Sequence, residues 1–92
     1  MSTITSHDHA AWRAQLLKSL RQMRAAADHA AVDAEFYIAL GWISAGHCLG
    51  AISIGASDRL HELAFNASEH RTAELNQKTK ARRIASAQER AA

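Results

Sequence analysis

The 92-residue sequence contains no proline, one cysteine, four glycines and only five aromatic residues counting Phe, Trp and Tyr. Without proline nothing forbids helix anywhere, and the abundant Ala, Leu, Gln, Glu and Arg favour it nearly everywhere. Cys48 has no partner for an internal disulfide, which excludes a disulfide scaffold and removes any argument for an oxidising compartment. No alternating stretch exceeds Ile52-Ser53-Ile54, which argues against a β-sandwich. The N-terminus MSTITSHDHAAW lacks the basic and apolar regions of a secretory signal, so the expected location is cytoplasmic.

What is present is mostly alanine and a modest set of larger apolar groups. The 48% hydrophobic content divides into 21 Ala and 23 larger side chains, so it overstates the volume available for a core. A chain of this length buries about 60% of its unfolded surface and is often marginal alone. One small all-α domain is expected, a helical hairpin or three-helix bundle over residues 1–75, followed by a basic extension over residues 76–92.

Along the chain, residues 1–5 are expected to fray and Ser6 to cap a first helix, with Asp8 in its positively polarised first turn. Trp12, Leu16, Leu20, Met23, Ala27 and Ala30 recur at spacings of three and four on one face. Arg13, Lys18, Arg21 and Arg24 fall off that stripe. A soft boundary is expected near residues 28–33, with Asp33 as cap and Val32 and Tyr37 as a hydrophobic staple. A second helix would then run to Ile54, ending at Gly55, and Ser57-Asp58 would open a third with Leu60, Leu63, Ala64 and Ala67 facing inward. The apolar stripe from Trp12 to Ala67 has a mean period of about 3.67, close to that of a straight helix. One long helix and several folded-back helices would serve it equally, so the continuity of the first two helices is left open.

From Phe36 to Ser57 no Asp, Glu, Lys or Arg occurs. On a helical wheel this run is apolar on two sides, one carrying Ile38, Trp42, Leu49 and Ile52 and the other Phe36, Leu40, Ile43, His47 and Ile54. Its mean hydropathy, about 1.4 per residue, is below the usual threshold for a membrane span, and His47 would sit near the midplane. A membrane span is therefore the weaker reading, and a central helix covered on both sides the stronger. Because so short a chain has few elements to cover two faces, a homodimer is expected, with Ile38, Trp42, Gly46, Leu49, Gly50 and Ile52 as self-association residues and Gly46/Gly50 allowing close helix approach.

Motifs for chemistry fail on inspection. Gly41 to Cys48 and Gly50 to Ser57 have P-loop glycine spacing, but neither has the required Lys. His61-Glu62 begins a zinc motif that Phe65 breaks, and the pairs His29/Asp33 and His70/Glu74 offer two ligands each without a third. Cys48 beside His47 is no catalytic dyad and is expected to be a small buried hydrophobe. Neither a cofactor nor a metal is expected.

The expected function is binding. Charge is unevenly distributed, with five basic residues and one acidic residue over 75–92 (+4) and six basic against eight acidic over 1–74 (−2). The sequence reading is a small non-enzymatic regulator or inhibitor of the kind that phages and mobile elements encode. It would dock on a larger host or regulatory protein through Trp12, Arg13, Arg21 and Arg24. The alternative is a nucleic-acid-binding module using Lys78, Lys80, Arg82 and Arg83, although no aromatics are interleaved there for base stacking.

Overall fold

In a chain this rich in alanine, helices are defined by what interrupts them. The computed structural model describes residues 6–91, so the fraying expected of residues 1–5 lies outside the described residues. It shows three helices, α1 (Ser6–Arg24), α2 (His29–Cys48) and α3 (Ile54–Ala91), and no strand among the described residues. Each helix contacts the other two.

The first interruption comes earlier than the Asp33 boundary expected from sequence. Asp28 is the cap: its backbone is extended (φ −148°) and its side chain accepts the Ala31 N–H at 2.8 Å. Asp33 is exposed inside α2, Val32 is fully buried and Tyr37 is exposed, so the expected staple does not form. The second interruption is also displaced. α2 ends at Cys48 rather than Ile54, and Gly50, at φ +76°, takes the left-handed position that lets the chain turn. The Gly50 N–H bonds the His47 carbonyl at 3.1 Å and the Ala51 N–H the Gly46 carbonyl at 2.8 Å, the paired bonds of a Schellman motif. Ser53 then caps α3, its hydroxyl accepting the Ala56 N–H at 3.1 Å. The expected cap Ser57 is buried one turn inside that helix, and Gly55 is helical. The uncharged run is therefore divided between two helices, and among the described residues no helix is long and apolar enough to cross a membrane.

Packing centres on α2, where Val32, Ala39, Ile43 and Gly46 are buried at spacings of seven, four and three. Trp12, Leu16 and Met23 of α1 and Ala64 and Leu75 of α3 complete the core, with Phe36, Trp42 and Leu60 packed at its edge. Ala27 and Ala30 are exposed because the chain has already turned, and Leu63 points outward rather than into the core. Trp12 lies against Gly46 so closely that a Cβ at residue 46 would clash with the indole. The indole N–H donates to the Trp42 carbonyl at 2.6 Å, using a second lone pair on a helical oxygen. Ser19, also buried, places its hydroxyl 3.0 Å from both the carbonyl and the carboxylate of Glu35, fixing α1 against α2.

The third helix outruns the other two. Its 38 residues span about 57 Å at 1.5 Å per residue. Leu75 is its last buried residue, and every position from Asn76 to Ala91 is exposed. The molecule accordingly measures 69 × 22 × 15 Å, with a radius of gyration of 17.9 Å. A compact chain of this length would have about 12 Å.

Gly46→Ala should lower stability by about 1–3 kcal/mol, because the methyl displaces Trp12 from a filled site. Gly41→Ala, where an added Cβ meets nothing within 4 Å, should be neutral or stabilising by up to about 1 kcal/mol through helix propensity. Urea denaturation of the two variants measures the contrast. In the same assay Asp28→Ala should cost about 0.5–2 kcal/mol as a lost cap, whereas Asp33→Ala, away from any cap, should stay within about 0.5 kcal/mol.

Candidate functional site

The residues expected to meet a partner are dispersed by the fold. Trp12 is in the core, so it anchors α2 and offers almost no outer surface. Arg13 is exposed and leans on His9, its guanidinium 3.5 Å from Nδ1. His9 satisfies its other nitrogen at the α2–α3 turn, with Nε2 3.3 Å from the Ala51 carbonyl, and its ring meets Trp12 edge-on at 5.7 Å. Arg21 is exposed, whereas Arg24 pairs with Glu74 of α3 at 2.9 Å.

The expected self-association set divides in the same way. Gly46 is covered by Trp12 of the same chain, whereas Gly50 is exposed at the turn with open space around it. Trp42 and Ile52 are half-buried against the core. Ile38 and Leu49 remain exposed, eleven positions apart and therefore on nearly the same face of α2. An apolar surface not singled out from sequence lies on the other flank. There Phe36 of α2 meets Phe65 of α3 at 6.5 Å between ring centres and Tyr37 at 5.7 Å. Tyr37 is 69% and Phe65 53% exposed. The α2 wheel, apolar on both sides, contained the signal for Phe36. Phe65 falls outside the inward set Leu60, Leu63, Ala64 and Ala67 read from the spacing, so the pattern gave no reason to single it out.

Chemistry-bearing residues do not converge. Gly41 is in mid-helix, so the first P-loop-like spacing has no loop to act in, and the second, which runs from the Gly50 turn into α3, lacks the Lys. Cys48 is exposed at the end of α2, contrary to the buried position expected for it. His61 bonds through Nδ1 to the Ser57 carbonyl of its own helix at 2.9 Å. No group of three His, Cys, Asp or Glu among the described residues is placed to hold a metal ion.

The overhang of α3 creates a site that composition alone could not locate. Where α1 and α2 stop, the inward face of α3 continues beyond them, and a notch of about 470 Å³ opens between the α1–α2 turn and the helix. Ala27, Asp28 and His29 form one wall, and Arg71, Lys78 and Arg82 the other. A shallower groove of about 360 Å³ prolongs it along α3, lined by Arg82, Arg83, Ser86 and Arg90. Of the four tail cations singled out from sequence, Lys78, Arg82 and Arg83 thus line one connected surface. Lys80, two residues from both Lys78 and Arg82, lies about 160° around the helix from each.

Arg71 holds this notch in shape. Its Nε donates to the Ala26 carbonyl at 2.9 Å, locking the α1–α2 turn onto α3, and its guanidinium is 3.7 Å from the Glu74 carboxylate. Arg71→Ala should therefore cost about 1.5–3 kcal/mol, the range for a hydrogen bond from a charged donor. Arg71→Lys should recover little of it, because an ammonium on a flexible stem cannot reproduce the fixed guanidinium fork. Denaturant midpoints of both variants give the comparison. Set against known proteins, the chain matches no family model, no curated protein and no solved structure.

Proposed function

We propose that this chain is a small non-enzymatic regulator or inhibitor that acts by docking on a larger protein and that associates with a second copy of itself. One observation carries the reading: α2 is packed between α1 and α3, yet apolar side chains stay open along both its flanks. On one flank Ile38 and Leu49 share a face, and on the other Tyr37 and Phe65 extend the half-buried Phe36. Exposed apolar side chains are ordinary when scattered, but grouped aromatics at the seam of two helices are the composition of interface anchors. The Ile38–Leu49 flank continues the self-association reading of the uncharged run. The aromatic flank, with rigid rings of large contact area, supplies the surface for the partner in place of Trp12.

Sedimentation velocity at micromolar concentration tests the self-association. The wild type should sediment as a dimer, and Ile38→Ser with Leu49→Ser should weaken it by about tenfold or more through lost apolar burial. A wild-type monomer would overturn this part. For the partner, a photo-crosslinking residue at Tyr37 should trap one discrete larger protein in the native host, and Phe65→Ser should abolish that adduct. An adduct ladder unchanged by Phe65→Ser would overturn it.

A further inference from the structure

We propose that the notch and the groove continuing from it bind the phosphodiester backbone of nucleic acid without reading its sequence. The site lies away from the flanks of α2 and goes beyond the docking function.

The argument begins with the change in one face of α3. Inside the bundle the inward face carries Ser57, Ala64 and Leu75, all buried. At the next turns, where α1 and α2 have ended, the same face carries Lys78 and Arg82, which are exposed. A helix end that merely needed solvation would distribute charge around its circumference. Here Arg71, Lys78 and Arg82 line one notch, and Arg83 and Arg90 line its extension. Arg71 is committed to the Ala26 carbonyl and Glu74, and the remaining cations, Lys78 to Arg90, span about 18 Å along a straight helix at 1.5 Å per residue. A nucleic-acid strand places one phosphate about every 3.4 Å along its axis, so the cations can each meet a phosphate without bending the strand. Arginine predominates, and its planar fork suits phosphate oxygens.

The same surface is poorly made for other acidic ligands. A protein segment docks through apolar anchors in desolvated pockets, and Leu75, the large apolar residue of the notch, is already buried in the core. Ile84 is exposed, but two positions from Arg82 it lies on the far side of the arm. No Phe, Tyr or Trp lines either cavity, and the groove has no ring at all; the one ring is His29 in the notch wall, so there is no run of stacking platforms and the backbone is the ligand. Acidic groups limit the depth of the site. Asp28 stands in the wall, committed to the Ala31 N–H, and Glu89 is the one acid beyond residue 74. The ligand therefore runs along the outer groove with its phosphates against Lys78, Arg82, Arg83 and Arg90.

Fluorescence anisotropy with a labelled duplex of mixed sequence, about two helical turns long, tests the proposal on the full chain. Binding should fall with salt with a logarithmic slope of about −3, for three to four phosphates neutralised, and a second duplex of unrelated sequence should bind equally. Lys78→Glu with Arg82→Glu should weaken binding by at least about tenfold at about 50 mM salt, whereas Lys80→Glu on the opposite side should change it by less than about threefold. Both variants alter exposed arm positions, and an unchanged thermal midpoint shows that the bundle is intact. The salt slope of the wild type stands as a test independent of any variant. No binding at that low salt, a slope near zero, or equal losses from Lys80→Glu and the double reversal would each overturn the proposal. So would tighter binding of a polyglutamate peptide of equal charge than of the duplex.

Discussion

Trp12 packed against Gly46 is the contact on which the rest of the structure depends. It is the largest side chain of the core, and it can approach α2 only because residue 46 has no Cβ. The approach brings the indole N–H onto the Trp42 carbonyl and aligns α1 so that Ser19 reaches Glu35 two turns further on. With α1 seated along one side of α2, Phe36 on the other side is left to meet α3. The uncharged run thus becomes the central member of a three-helix arrangement, and the chain covers more of its apolar surface by itself than so few large side chains suggest.

The unequal lengths of the helices have a different consequence. α1 and α2 end near the same level, tied to α3 by Arg71 on the Ala26 carbonyl and by the Arg24–Glu74 pair. Beyond that level α3 has no neighbour among the described residues, and its inward positions change from apolar to cationic. Such an arm cannot be held by burial. Helix propensity sustains it, along with the continuity of its backbone hydrogen bonds with a packed segment, which removes the cost of nucleation. The arithmetic of +4 on residues 75–92 against −2 elsewhere thereby becomes a separation of charge along a rod 69 Å long.

The face of α1 was legible because Trp12, Leu16 and Met23 repeat at helical spacing among polar residues. The α2 face was not. A helix that is apolar nearly all round gives no contrast by which to choose an inward side, and the stripe through Ile38, Trp42 and Leu49 proved to be a flank, while Val32, Ala39, Ile43 and Gly46 point inward. The turns were displaced for related reasons. Ala25, Ala26 and Ala27 are the best helix formers available, yet the chain leaves the helix there, and local propensity contains no hint of it. Asp28 and Asp33 are both competent caps, as are Ser53 and Ser57. Choosing between them depends on which break lets the next helix bury its face.

By itself, the sequence determined that the chain is helical throughout, that it has too few large side chains for a broad core, and that its cations gather near one end. Proline's absence, alanine's propensity and simple counting suffice for these, because each is a local or compositional property. Only the tertiary structure decided where the helices break, that Trp12 and Gly46 face each other within one chain, and that Lys78, Arg82 and Arg83 share a surface that Lys80 does not. Those outcomes depend on which distant segments compete for the same buried volume, and that competition is settled by packing rather than by any property of a single segment.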